Sequence, residues 1–401
     1  MSAPRAIPFS GDWRDPVLER ELALRLSAVA VLLLAISPLA AFAMSGFLLV
    51  NLSIHTSSQS RWTLGLVLAI ALSLMAGARP VDLNNTASDI VGYHELYLAL
   101  VAGDTNELLR FGSGFEVGLP LLMLVWATVL PPLSINGLMF CLSLSSSLLV
   151  LVWIETALYK NGAAQRPALL GLTLILLNIY FATQLSRQFL SLIVLLFAFT
   201  APTRTRRVCF VALAASLHLT ALPFYGLWLL ARRGWPGWLA ILGLAWLLRV
   251  YFVPLLAAFD VVPDVIADKL LYYVDNEDSA SDADIGSLRM VALLALLSLV
   301  SLLASRLRPS RRTRAWLSVP WLTGAVYYIL LPIPLASLRT TLMVHSVASG
   351  YIAWQMLPPH ARGLRQLVPN LLLLYKVAAF ALALNGANLR PSVSMLAGFF
   401  A

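Results

Sequence analysis

The sequence predicts an all-α polytopic integral membrane protein, with about 12 transmembrane helices and further juxtamembrane helices along the surface. Three observations carry that reading. The chain is 60% hydrophobic and only 12% charged, against about 25% charged in soluble domains. Apolar runs near the length that crosses a bilayer recur from one end to the other. The basic residues alternate between loops: fifteen fall in one set, at Arg61, Lys160, Arg166, Arg204, Arg206, Arg207, Arg232, Arg233, the five between Arg306 and Arg314, Arg362 and Arg365. Those loops hold no Asp or Glu, so they are assigned to the cytoplasm. The opposite loops hold fourteen of the nineteen carboxylates, and that face is extracytoplasmic. The net charge of +9 is therefore a signature of topology, and no nucleic-acid partner is expected.

Taken in order, Asp12 to Arg25 mixes acids and bases as an interfacial amphipathic helix does. No cleavable leader is expected, because Met1 to Glu21 is polar and the first apolar run, Leu22 to Leu52, is too long for one. That run crosses once or folds as a hairpin near Pro38, and Trp62 to Met75 crosses back. Residues 79–137 form a first outer loop with a juxtamembrane helix, Val117 to Leu130, which is too short to cross and ends at Pro131-Pro132. The further crossings are Leu138 to Thr156, Ala168 to Thr183, Gln188 to Thr200, Val208 to Leu217, Leu219 to Leu230, Trp238 to Leu256, Leu288 to Ala304, Trp316 to Leu331, Thr341 to Trp354 and Val368 to Leu384. A second outer loop occupies 258–287. There is no internal repeat, and residues 1–401 read as a single transmembrane domain. Cys141 and Cys209 lie in apolar runs near opposite faces, so no disulfide is expected between them.

The functional candidates gather at the outer ends of these runs. Arg187 to Thr200 spans roughly 20 Å as a helix, and Arg207 back to His218 roughly 17 Å. A hairpin turning at Arg204 to Arg207 thus brings Arg187 and His218 to similar depth. Ionisable groups there are costly unless they face one another or a hydrated cavity; the other reading of Arg187 is a side chain reaching the headgroups. Arg79, Arg187 and Arg339, with Arg289 on the same face, suit a pyrophosphate, because guanidinium forks make charge-assisted bonds to phosphate oxygens. Asp89, Tyr93 and Tyr97 are spaced i, i+4, i+8, so a helix capped by Ser88 sets a carboxylate beside two rings on one side, as a sugar site requires. An interfacial aromatic belt explains the same spacing. His218 is either a general base, a pyrophosphate ligand or a neutral core residue, and His345 is read as structural. Asp282-Ala283-Asp284 lacks the Gly and terminal Glu of a calcium loop, and neither a metal nor a cofactor is expected. Without a phosphate-cradling Gly-rich loop or a serine elbow, ATP-driven transport and serine hydrolysis are poor readings.

The order of these features resembles the EpsG-type branch of the Wzy polysaccharide polymerases. The resemblance rests on Arg79 with Asp89 and Tyr93, then Phe115-Glu116-Val117-Gly118, then Arg187-Gln188 opening a helix. It continues through the basic turn Arg204 to Arg207, Ala215-Ser216-Leu217-His218, and Lys269-Leu270-Leu271-Tyr272. It implies a GT-C-like bacterial inner-membrane enzyme with its active site facing the periplasm. Such an enzyme joins oligosaccharide repeat units carried on undecaprenyl pyrophosphate, with the bilayer and a chain-length-regulating co-polymerase as partners. On that reading Asp89, or else Glu116 or His218, accepts the acceptor proton, giving an inverting, metal-independent transfer. Tyr93, Tyr97, Gln188 and Tyr272 then face sugar. The rivals are an O-antigen ligase or polyprenyl-phosphate-dependent glycosyltransferase, which would use much the same face, and a lipid-linked oligosaccharide flippase. A transporter should carry its charges near the bilayer middle and show repeat symmetry, whereas here they gather on one side.

Overall fold

The computed structural model describes residues 16–52, 57–83, 88–158, 167–258, 292–296, 299, 311–331, 339, 341–357, 362–383, 395 and 398–400. Arg289, Tyr272, the Lys269 motif, Asp282 to Asp284 and most of the second outer loop lie outside the described residues. In chain order the helices are α1 (Pro16–Ile36), α2 (Pro38–Asn51), α3 (Ser58–Gly77), α4 (Asp89–Val101), α5 (Glu107–Arg110), α6 (Gly118–Val129), α7 (Ile135–Trp153) and α8 (Pro167–Ile175). They continue with α9 (Ile179–Gln184), α10 (Ser186–Thr200), α11 (Arg204–Leu217), α12 (Ala221–Ala231), α13 (Trp235–Ala258), α14 (Arg311–Leu330), α15 (Ser349–Met356) and α16 (Arg362–Ala383). Among the described residues there is no strand beyond an isolated bridge between Leu133 and Phe400.

Short polar side chains set many of the helix starts. Ser37 accepts from the Ala40 amide at 3.3 Å with Pro38 in the first helical position, Ser134 from Gly137 at 3.2 Å, and Thr203 from Arg206 at 3.3 Å. Each satisfies an amide that the first helical turn leaves over. Ser37 and Pro38 also divide the run Leu22 to Leu52 into α1 and α2, which contact each other and both contact α3. The run is thus interrupted at the position where the hairpin alternative placed its turn.

The run Ala168 to Thr183 departs from expectation, because it is not one helix. It is split into α8 and α9 at Leu176 to Asn178, where the Asn178 side chain accepts from the Tyr180 amide at 3.1 Å and starts a new helix. Leu185, at φ −113° and ψ 42°, then separates α9 from α10. The backbone groups released by the first break find partners: Ser349 Oγ donates to the Leu176 carbonyl at 3.2 Å, and the Asn178 amide donates to the Ser346 carbonyl at 3.3 Å. Buried irregular backbone is tolerated only with such partners. Among the described residues two helices are long and apolar enough to cross a membrane, Ser58–Gly77 at mean hydropathy 1.5 and Ile135–Thr156 at 2.1; the other apolar helices, including Pro38–Asn51 and Ser186–Thr200, are shorter. The run Leu288 to Ala304 lies largely outside the described residues.

The core gathers around α3, which packs between α2 and α7, while α16 lies on α2 and α8. Phe42, Leu64, Leu68, Leu72 and Phe189 are fully buried there. The Trp153 indole N–H donates to the Leu196 carbonyl at 3.1 Å and ties α7 to α10. Helices α10 and α11 form the hairpin read from the sequence.

Near the opposite end of α3 and α7 from the site described below, Arg61 grips Glu155 with both fork nitrogens, Nε to Oε1 at 3.1 Å and Nη2 to Oε2 at 3.2 Å. The two side chains are only 12% and 5% exposed. Removing one partner strands a buried charge, which costs about 3–5 kcal/mol, whereas replacing both with apolar groups of similar volume costs far less. Glu155→Ala should therefore lower the thermal midpoint of the purified protein sharply. The double variant Arg61→Met with Glu155→Leu should recover most of the loss.

Candidate active site

Glu116 is where distant parts of the chain meet. It lies in the short irregular stretch between a 3-10 turn, Phe111–Gly114, and α6, and is 6% exposed. Its Oε2 accepts from Arg187 Nη1 at 2.7 Å, at the first turn of α10. Its Oε1 is paired with His218 Nδ1, at the end of α11, and also accepts from the Leu219 amide at 3.0 Å. Opposite an ionised carboxylate, Nδ1 carries the proton and Nε2 is the face that His218 turns elsewhere.

Two glycines make this possible. Gly114 takes a left-handed φ of +78°, which lets the chain reverse into Phe115-Glu116. Gly118 starts α6 hard against the end of α11: a Cβ there would lie 3.0 Å from both the Ser216 carbonyl oxygen and Leu217 Cδ2. Gly118→Val should push α6 away and carry Glu116 off His218. A misplacement of about 1 Å at such a site costs about 10²-fold in rate. Imidazole resonances of His218 in the purified protein would report the lost contact, with Gly118→Ala expected to keep most of it.

Arg187 is further held by rings. Its Cζ sits 4.8 Å from the Phe111 ring centroid and 6.0 Å from that of Tyr93, which is itself buried. Tyr93 lies one turn beyond Asp89, the first residue of α4. Ser88 occupies the cap position as expected, yet its hydroxyl does not cap; it donates to Gln184 Oε1 at 3.0 Å and binds α4 to α9.

The two acids are pushed in opposite directions. Burial raises the Asp89 carboxyl above the ordinary carboxylate range, outweighing the lowering pull of Arg187, Arg339 and His218. Burial also pulls Glu116 upward more strongly than any other single influence. The His218 ring, the Leu219 amide and Arg187 together overcome it and hold Glu116 down to about 2. A pair of acids so separated is the usual mark of divided roles, one kept ionised and one able to exchange a proton.

The other sequence candidates are placed as follows. Arg339 lies close enough for its charge to act on Asp89, and its carbonyl accepts from Gln188 Nε2 at 3.5 Å. Gln188 is buried. Arg79 stands on α9 rather than on Glu116, donating to Thr183 Oγ1 at 3.1 Å with its Cζ 4.6 Å from the Tyr180 centroid. Tyr97 is fully buried and its hydroxyl accepts from the Leu133 amide at 3.3 Å, away from the Glu116 cluster. Sequence reasoning passed over three contributors: Phe111, the Leu219 amide and the Thr183 side chain. A backbone amide leaves no residue-type signal. The polar break before Arg187 was read from the sequence, with one run ending at Thr183 and the next starting at Gln188, but not as a source of partners for Arg79 and Ser88.

These features define a helical membrane protein with a buried ionic cluster at one end of its helices. The chain belongs to the EpsG family, whose model matches residues 62–353 and so takes in Arg79, Asp89, Glu116, Arg187, His218 and Arg339. Comparison with curated proteins and with solved structures gives no match. The family is one of glycosyltransferase-like polysaccharide polymerases, acting on lipid-linked saccharide in a membrane.

Proposed function

We propose that the protein polymerises oligosaccharide repeat units, carried on undecaprenyl pyrophosphate, into a surface polysaccharide at the periplasmic face of a bacterial inner membrane. The chain crosses that membrane about 12 times in a GT-C-like arrangement. The observation that most supports this is the meeting of Arg187, His218 and Glu116, with the charges of Arg339 and Asp89 acting on one another beside them.

Arg187 and Arg339 hold the pyrophosphate of the donor, assisted by Arg79 and Arg289, and stabilise charge as it leaves. Asp89 is the base, because Glu116 is saturated by three donors and is the weaker proton acceptor. Asp89 takes the proton of the acceptor hydroxyl, the new bond forms at the anomeric carbon, and the old anomeric C–O bond breaks with its electron pair leaving on pyrophosphate. The configuration inverts, and no metal is needed where arginines neutralise the leaving group. Tyr93, Gln188 and Tyr272 are assigned to the sugar.

The test is to incubate the purified protein with a lipid-linked repeat unit and resolve the products by size. A ladder of oligomers supports polymerisation. A single capped transfer would assign the protein as a ligase instead, and return of unaltered lipid-linked substrate would remove the enzyme reading.

A further inference from the structure

Three hydrogen-bond donors converge on one internal carboxylate beside a site proposed to take an anion. Arg187 Nη1, the His218 ring and the Leu219 amide all point at Glu116, and Arg187 is steadied from the side by Phe111. A cation, an imidazole and a backbone N–H aimed at one point are the donor set that phosphoryl oxygens use, and carboxylate and phosphate oxygens accept the same bonds.

The charges sharpen the point. Arg187 and Arg339 supply two positive charges, to which a protonated His218 would add a third, while Asp89 and Glu116 can supply two negative ones, so with both acids ionised and the imidazole neutral the resting cluster carries no surplus. A doubly charged pyrophosphate would enter a neutral site and face a carboxylate across its best cation. Either the anion binds elsewhere or Glu116 gives way. Glu116 is tethered for the second course: Phe115 to Val117 lies outside any helix, next to the left-handed Gly114.

We propose that the cradle of Arg187 Nη1, His218 and the Leu219 amide is the seat of one phosphoryl group of the carrier pyrophosphate, and that Glu116 is its internal occupant. Glu116 is displaced when the donor binds and returns as the spent carrier leaves. This rests on the polymerase reading above and assigns the exact donors of its anion site. Glu116 then prevents the released pyrophosphate from remaining on Arg187, a useful property where each cycle leaves a tightly held anion. The rival role is a fixed strut that positions Arg187 and His218.

The two roles predict opposite signs. With inorganic pyrophosphate as probe on the purified full chain, Glu116→Gln should bind about tenfold more tightly than the native protein, equivalent to about 1.4 kcal/mol. Arg187→Ala should bind more weakly. Glu116→Asp, which keeps the charge but shortens its reach, should tighten binding by a smaller factor, and it carries the test should the Gln variant fail to fold. Equal or weaker binding in these Glu116 variants, with Arg187→Ala also weak, would overturn the occupant role and leave the polymerase reading standing. Absence of pyrophosphate binding to the native protein and to every variant would overturn both.

Discussion

Arg187→Ala, expressed in the native strain, should abolish long-chain polysaccharide and leave the lipid-linked repeat unit to accumulate. The loss combines a donor to the leaving pyrophosphate and the cation opposite Glu116, and removal of one such preorganised donor costs about 10²–10³-fold in rate. Arg187→Lys should recover only part of it. A lysine keeps the charge but not the planar fork that lies by Phe111 while bonding an oxygen. Polymer length on a gel, with protein level checked by blot, is the measurement; chains of normal length in the Ala variant would remove Arg187 from the site.

Asp89→Asn should be comparably severe, about 10²–10⁴-fold, the range for loss of a general base. Asp89 adds a pH signature. A base must be deprotonated to act, so the rate falls as pH drops through its pKa. Since burial raises that pKa, the acid limb of the rate profile should lie above the ordinary carboxylate range. Glu116, held down to about 2, stays ionised through the same window and contributes no limb there. Single-turnover transfer measured against pH should show one acid limb in the native protein, retained in Asp89→Glu and absent from the residual rate of Asp89→Asn. An acid limb in the ordinary carboxylate range would count against Asp89 as the base.

Much of this site was legible before any coordinates. The hairpin of α10 and α11 followed from two apolar runs around a basic turn, and helical rise alone was enough to set Arg187 level with His218. The amphipathic spacing of Asp89 and Tyr93 marked α4, and Pro131-Pro132 marked the short reach of α6. Other features stayed hidden for identifiable reasons. The break at Asn178 looks continuous to a hydropathy reading, because Leu176 and Leu177 are as apolar as their neighbours. What stops the helix there is a side-chain cap and partners offered by residues 346 and 349, far along the chain. Arg61 and Glu155 were each visible as an isolated charge at the edge of an apolar run, but nothing local said that they face one another.

Residue order by itself determined the class of the protein, the level of its charged groups and the residue types on offer, because those depend on composition and on repeats a few residues long. Only the tertiary structure decided that Glu116, and not Asp89, is the shared partner of Arg187 and His218. That choice turns on close packing at Gly118 and on a backbone amide at Leu219, and contacts between segments some 70 to 100 positions apart have no periodicity from which they could be read.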